Sequence, residues 1–151
     1  HQSHPWFEVE RHGVPRGLFD KDTLIRPAHV DPEFVRAAVR RKVQELRGRF
    51  PIFSHLPTKL IQRCQPADAA YFYHTLVLRP LVDLYRCLHC PERHDFGFRY
   101  LRTDLPPVCV GLVERLCYPT DPSAMSDYTR EAIAAFNMAM IEWDARGPDA
   151  M

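Results

Sequence analysis

The side chains best suited to chemistry lie between positions 73 and 100: Tyr73, Arg79, Arg86, Asp95, Arg99 and Tyr100. Arginine donates in a planar fork that matches carboxylate and phosphate oxygens. A buried arginine must be paired and hydrogen-bonded. Two readings follow. Asp83 and Asp95 pair with the arginines and lock a helix to the turn after it, or one or two arginines meet an anionic or polar ligand beside Tyr73 and Tyr100.

Other groups carry weaker signals. Cys87-Leu88-His89-Cys90 has the spacing of half a zinc site, with His94 nearby. A structural zinc site needs four ligands, usually from two such pairs, and the remaining cysteines are scattered singly. Buried free thiols are therefore the leading expectation. Asp20-Lys21-Asp22 has the form that binds divalent ions beside phosphates, but no glycine-serine cradle precedes it, so a turn or helix cap is expected. Glu8 and Glu10 fall on one face of a short expected strand and are metal-carboxylate candidates. His74 and His89 read as packed or solvent-facing. No Ser/His/Asp set, Walker loop or dinucleotide fingerprint is present.

These residues need helices to position them. Residues 6–10 predict a strand, and 12–26 a loop with a helical turn near 19–24. Asp31 then caps a helix that Pro32 opens. Val35, Val39, Val43, Leu46 and Phe50 recur every three or four residues, and Gly48 and Pro51 are expected to stop that helix. A short helix is predicted at 58–63. The third, at about 66–89, carries a wide apolar stripe and should be central. Pro80 inside it predicts a kink near 76–79. Tight turns at 95–102, a helix from Pro106 and a last helix after Asp121-Pro122 complete the pattern. The expected fold is all-α: a bundle of about five helices with a kinked central helix at 31–147. A β-like arm at 1–30 precedes it and a tail at 148–151 follows.

A chain of 151 residues fits one domain. At that length about 68–70% of the unfolded surface is buried, so no staple is required. Net charge is +1 with histidine neutral, which gives no electrostatic footprint for nucleic acid. No run of 18 apolar residues exists, so no membrane span is expected, and the first ten residues lack the pattern of a signal peptide. Five cysteines, an odd number, suggest reduced thiols in the cytoplasm.

The runs Phe50-Pro51-Ile52-Phe53, His55-Leu56-Pro57, Phe72-Tyr73-His74 and Leu78-Arg79-Pro80-Leu81 share a pattern with Arg86, Cys90-Pro91-Glu92-Arg93, Asp95-Phe96-Gly97, Arg99-Tyr100-Leu101 and Asp104-Leu105-Pro106. Across about 30–145 this pattern resembles the helical C-terminal half of bacterial nucleotidyltransferase-domain proteins, similar in layout to aminoglycoside nucleotidyltransferases. The resemblance implies a preceding α/β catalytic domain with a Gly-Ser…Asp-x-Asp motif, NTP and Mg²⁺. It also implies a helical domain that helps form the cleft for a small-molecule acceptor. This chain has no Gly-Ser pair, so the catalytic core is expected to lie outside it, in cis or in trans. The arm would be the tail of the α/β domain, with Glu8 or Glu10 as a late-strand carboxylate by position. His94 stands where the resemblance leads one to expect an aromatic such as tyrosine. The rival readings are a stand-alone helical interaction or homodimerisation module, and a small zinc protein using Cys87, Cys90, His89 and His94.

Overall fold

The computed structural model describes residues 6–14 and 26–147, which are predominantly helical. Asp20, Lys21 and Asp22, the helical turn expected at 19–24, and the tail at 148–151 lie outside the described residues. The chain opens with β1 (Trp6–Glu8) and α1 (Val9–His12). β1 pairs in parallel with β2 (Arg26–Ala28), Trp6 opposite Arg26 and Glu8 opposite Ala28. The strand expected at 6–10 is therefore shorter. Glu8 ends it and Glu10 is helical, so the two glutamates do not share a strand face.

Asp31 caps α2 (Pro32–Phe53) by accepting from the Glu33 N–H at 2.9 Å. Val35, Val39, Val43, Leu46 and Phe50 are all buried, as their helical spacing requires. The expected stop at Gly48 and Pro51 is wrong: α2 runs through both. Proline costs one backbone bond, but Ser54 N–H still donates to the Phe50 carbonyl at 2.9 Å. The Phe50 ring stacks on Phe136 with centroids 3.7 Å apart. Tertiary packing outweighs the local breaker.

After α3 (Leu56–Gln62), the central helical path comprises α4 (Pro66–Tyr73), a π-helical turn at His74–Leu78 and α5 (Arg79–His89). In a regular α-helix the Pro80 ring would clash with the Leu76 carbonyl. The wider turn relieves that clash without breaking the path. Every residue from Leu81 to Leu88 is buried, including Asp83 and Arg86, because α5 packs against α2 on one side and α8 on another.

A 3₁₀ turn (Pro91–Arg93) and tight turns lead into α6 (Leu101–Asp104), α7 (Pro107–Leu116) and α8 (Ala124–Arg146). The Asp121 carboxylate accepts from the Ser123 and Ala124 N–H groups at 2.8 and 3.1 Å, fixing the start of α8. Met125, Thr129, Ala132, Phe136, Ala139 and Trp143 form the buried face of α8. Among the described residues no helix is long and apolar enough to cross a membrane.

Candidate functional site

Arg86 has no exposed surface. Its Nε donates to the Gly97 carbonyl at 2.6 Å and its Nη1 to Asp104 Oδ2 at 2.8 Å, while Nη2 donates to the Arg99 carbonyl. Arg93 Nη1 reaches the other Asp104 oxygen at 2.7 Å. The Asp104 side chain is 4% exposed, so two cations share one buried carboxylate. This clasp ties α5 to the 95–105 turns. The expected pairing of these arginines with Asp95 is incorrect. Asp95 instead receives both its bonds from Arg11, at 2.7 and 2.8 Å, which fastens α1 to the same turns. Burial alone would raise the Asp95 carboxyl, but the Arg11 hydrogen bonds and charge hold it below its ordinary value.

Phe96 is the hub of this region. The guanidinium carbons of Arg11, Arg86, Arg93 and Arg99 lie 5.4, 6.0, 5.8 and 4.5 Å from its ring centroid. Each is within the reach of a cation–π contact. Phe96 and Asp104 were visible in the sequence only as members of the quoted runs, with no sign of these contacts. Arg11 had no signal, since it acts on Asp95, 84 positions along the chain.

Most of the predicted ligand-binding set is therefore committed to the fold. Tyr73 is fully buried and donates to the Leu116 carbonyl at 2.8 Å, and burial pushes its phenol upward. Arg86 is enclosed, and Arg99 lies on Phe96. Tyr100 is 63% exposed in the left-handed region at φ 57°, where its carbonyl accepts from Asp104 N–H and opens α6. These side chains do not converge on one cavity.

Arg79 is the exception. Its side chain is 45% exposed and its Nε donates to Asp83 Oδ1 at 2.8 Å. Lys42 Nζ lies 3.0 Å from the other Asp83 oxygen, so Asp83, 5% exposed, is held between two cations. Arg79 and Asp83 line a cleft of about 150 Å³ between α2 and the π-helical turn. Lys42, Glu45 and Arg49 stand on the α2 side, Thr75 and Pro80 on the other, over an apolar floor of Leu46, Phe50 and Phe53. Arg49 pairs with Glu45 at 2.8 Å. Three cations against two acids leave one positive charge in excess. Beneath Arg79 lies Gly97 at φ +58°, where a Cβ would come within 2.7 Å of the Arg79 guanidinium carbon. The glycine therefore makes room for this arginine. Lys42, Glu45 and Arg49 were not singled out in the sequence because their spacing reads as a solvated helix face.

The carboxylate and thiol candidates do not gather. Glu8 pairs with Arg11 at 3.4 Å. Glu10 pairs with His29 Nδ1 at 2.7 Å and accepts from the Val30 N–H at 3.1 Å. The His29 bond, with the backbone bonds, draws the Glu10 carboxyl down to about 2. Burial raises the Cys87 thiol to about 12 and also raises Cys90, opposing the thiolates that zinc needs. His94 Nδ1 lies 2.9 Å from the Pro91 carbonyl, and His89 Nε2 lies 3.9 Å from Cys109 Sγ. Among the described residues no three His, Cys, Asp or Glu side chains are placed to hold an ion, and Glu8 and Glu10 do not fit a Mg²⁺ pair. Comparison with family models, curated proteins and solved structures found no significant match.

Proposed function

We propose that this chain is the helical, acceptor-binding part of a nucleotidyltransferase-like protein, and that the acceptor docks in the cleft between α2 and the π-helical turn. One observation carries the reading. Arg79 lines an open cleft, and its terminal nitrogens have no hydrogen-bond partner among the described residues. A π-helical turn beside it fits, because such turns recur at functional sites. The parallel β1–β2 pair also fits a neighbouring α/β domain, since parallel strands belong almost entirely to such layers. NTP and Mg²⁺ would be held by that domain, in cis or in trans, and it would supply the phosphate chemistry. All five cysteines are free thiols, which suits the cytoplasm. The excess positive charge favours a neutral or anionic acceptor group over a polycation.

The test is to titrate the labelled chain with a panel of small hydroxylated, carboxylated and phosphorylated compounds, following backbone resonances. Binding should move Lys42, Arg49, Thr75 and Arg79 together. Saturable binding that leaves those four unmoved contradicts the proposal. The chain alone, given NTP and Mg²⁺, should transfer no nucleotide.

A second reading, a homodimerising helical module, has its own support. Val108, Met138 and Ile141 are 78%, 67% and 62% exposed along a groove between α7 and α8. Contiguous apolar surface of this kind marks interaction sites. Sedimentation equilibrium tests the module: it expects a dimer that Ile141→Asp dissolves, and a monomer at all concentrations removes it.

A further inference from the structure

The seam between α3 and α8 holds a cavity of about 520 Å³ that shares no residue with the Arg79 cleft. On α3, Lys59 and Gln62 face it, with His55 just before the helix; on α8, Ser126, Thr129 and Arg130 face it. Thr58 and Ile133 complete the lining, so polar and cationic side chains of both helices rim a seam that also buries Leu60 and Met125. Among the described residues no carboxylate lines the cavity. Lys59 has no ion-pair partner among the described residues. Arg130 has Asp127 at 3.0 Å, but both side chains are more than two-thirds exposed, and such a pair is weak and easily exchanged.

Thr129 is the second, independent observation. It is 1% exposed, and its hydroxyl has no hydrogen-bond partner among the described residues. A helical threonine commonly bonds back to the carbonyl four residues earlier, and this one does not. Buried polar groups are almost always satisfied, so an orphaned hydroxyl lining a cavity rimmed by Lys59 and Arg130 indicates a missing partner.

We propose that this cavity binds the oxyanion of a small polar molecule, a phosphate or a carboxylate. Lys59 and Arg130 would supply charge, Ser126 and Gln62 would donate hydrogen bonds, and Thr129 would complete the floor directly or through a bound water. Charge-assisted bonds of this type are the strong ones.

The probes are inorganic phosphate and, separately, acetate, titrated into the full ¹⁵N-labelled chain with chloride holding ionic strength constant. The expected result is a saturable shift of the Lys59, Gln62, Ser126, Thr129 and Arg130 amides, with a dissociation constant on the order of 1 mM. Saturation by phosphate alone assigns a phosphate group, and saturation by acetate alone a carboxylate. Lys59→Ala and Arg130→Ala should each weaken binding about tenfold. Thr129→Val should keep or raise the melting temperature of the ligand-free protein, because the hydroxyl serves no internal bond, and should weaken binding. No saturable shift with either anion overturns the proposal, as does binding unchanged in the Lys59→Ala/Arg130→Ala double variant. A Thr129→Val protein that melts lower than wild type shows a hydroxyl already used within the fold and removes that residue from the site.

Discussion

Arg86 and Arg79 stand two helical turns apart on α5 and have opposite environments. Arg86 is enclosed by three carbonyls and Asp104, whereas Arg79 is nearly half exposed beside an open cleft. Removing Arg86 leaves Asp104 buried with only the Arg93 bond. Arg86→Ala should cost about 3–5 kcal/mol, the usual penalty for breaking a buried pair, read by urea denaturation. A cost near zero would mean the clasp is not needed for folding. His89 gives a pH-dependent signature. Burial beside Tyr85 and Cys109 lowers its pKa. The unfolded chain therefore binds the proton more readily, and stability must fall as pH drops through the unfolded value of about 6.5 towards the lower folded one. Melting temperatures between about pH 7 and 5 should decline in the wild type and decline less in His89→Gln. The spacing of Arg79, Arg86 and Arg99 showed that these arginines needed partners. It pointed to Asp83 for Arg79, but not to Asp104 and the turn carbonyls for Arg86, which meet it only through the fold.

At the scale of elements, period and punctuation decide most of the path. The α2 stripe was legible because its five apolar residues repeat at helical spacing and each is buried. Pro51 misled because a breaker's local cost was outweighed by the Phe50–Phe136 stack, which lies 86 positions away in sequence and leaves no local trace. Pro80 marked the right place, but not that the helix would widen into a π-helical turn there. That turn presents Thr75 and Arg79 to the cleft. Pro80→Ala restores the missing N–H and removes the clash that favours the wide turn. The variant should keep its stability within about 1 kcal/mol, shift the amide resonances of 74–79 and lose affinity in the cleft. Unchanged resonances would mean the turn is imposed by packing rather than by the proline.

The molecule as a whole is a helical body built on α5, with a parallel strand pair fastened to it through Arg11 and Asp95. Its helical class was readable from sequence. Its cleft was not, because Lys42, Glu45 and Arg49 become site residues only when α2 is laid against the π-helical turn. The central claim is that Arg79 binds ligand while Arg86 holds the fold, and one paired comparison tests it most directly. A cleft ligand is titrated into wild type and Arg79→Ala, and both proteins are unfolded in urea. The account predicts an affinity loss of about tenfold or more, with a stability loss smaller than the roughly 3–5 kcal/mol of Arg86→Ala, because Arg79 is nearly half exposed and Lys42 still holds Asp83. Equal affinity, or an Arg79→Ala chain that unfolds like Arg86→Ala, would contradict it.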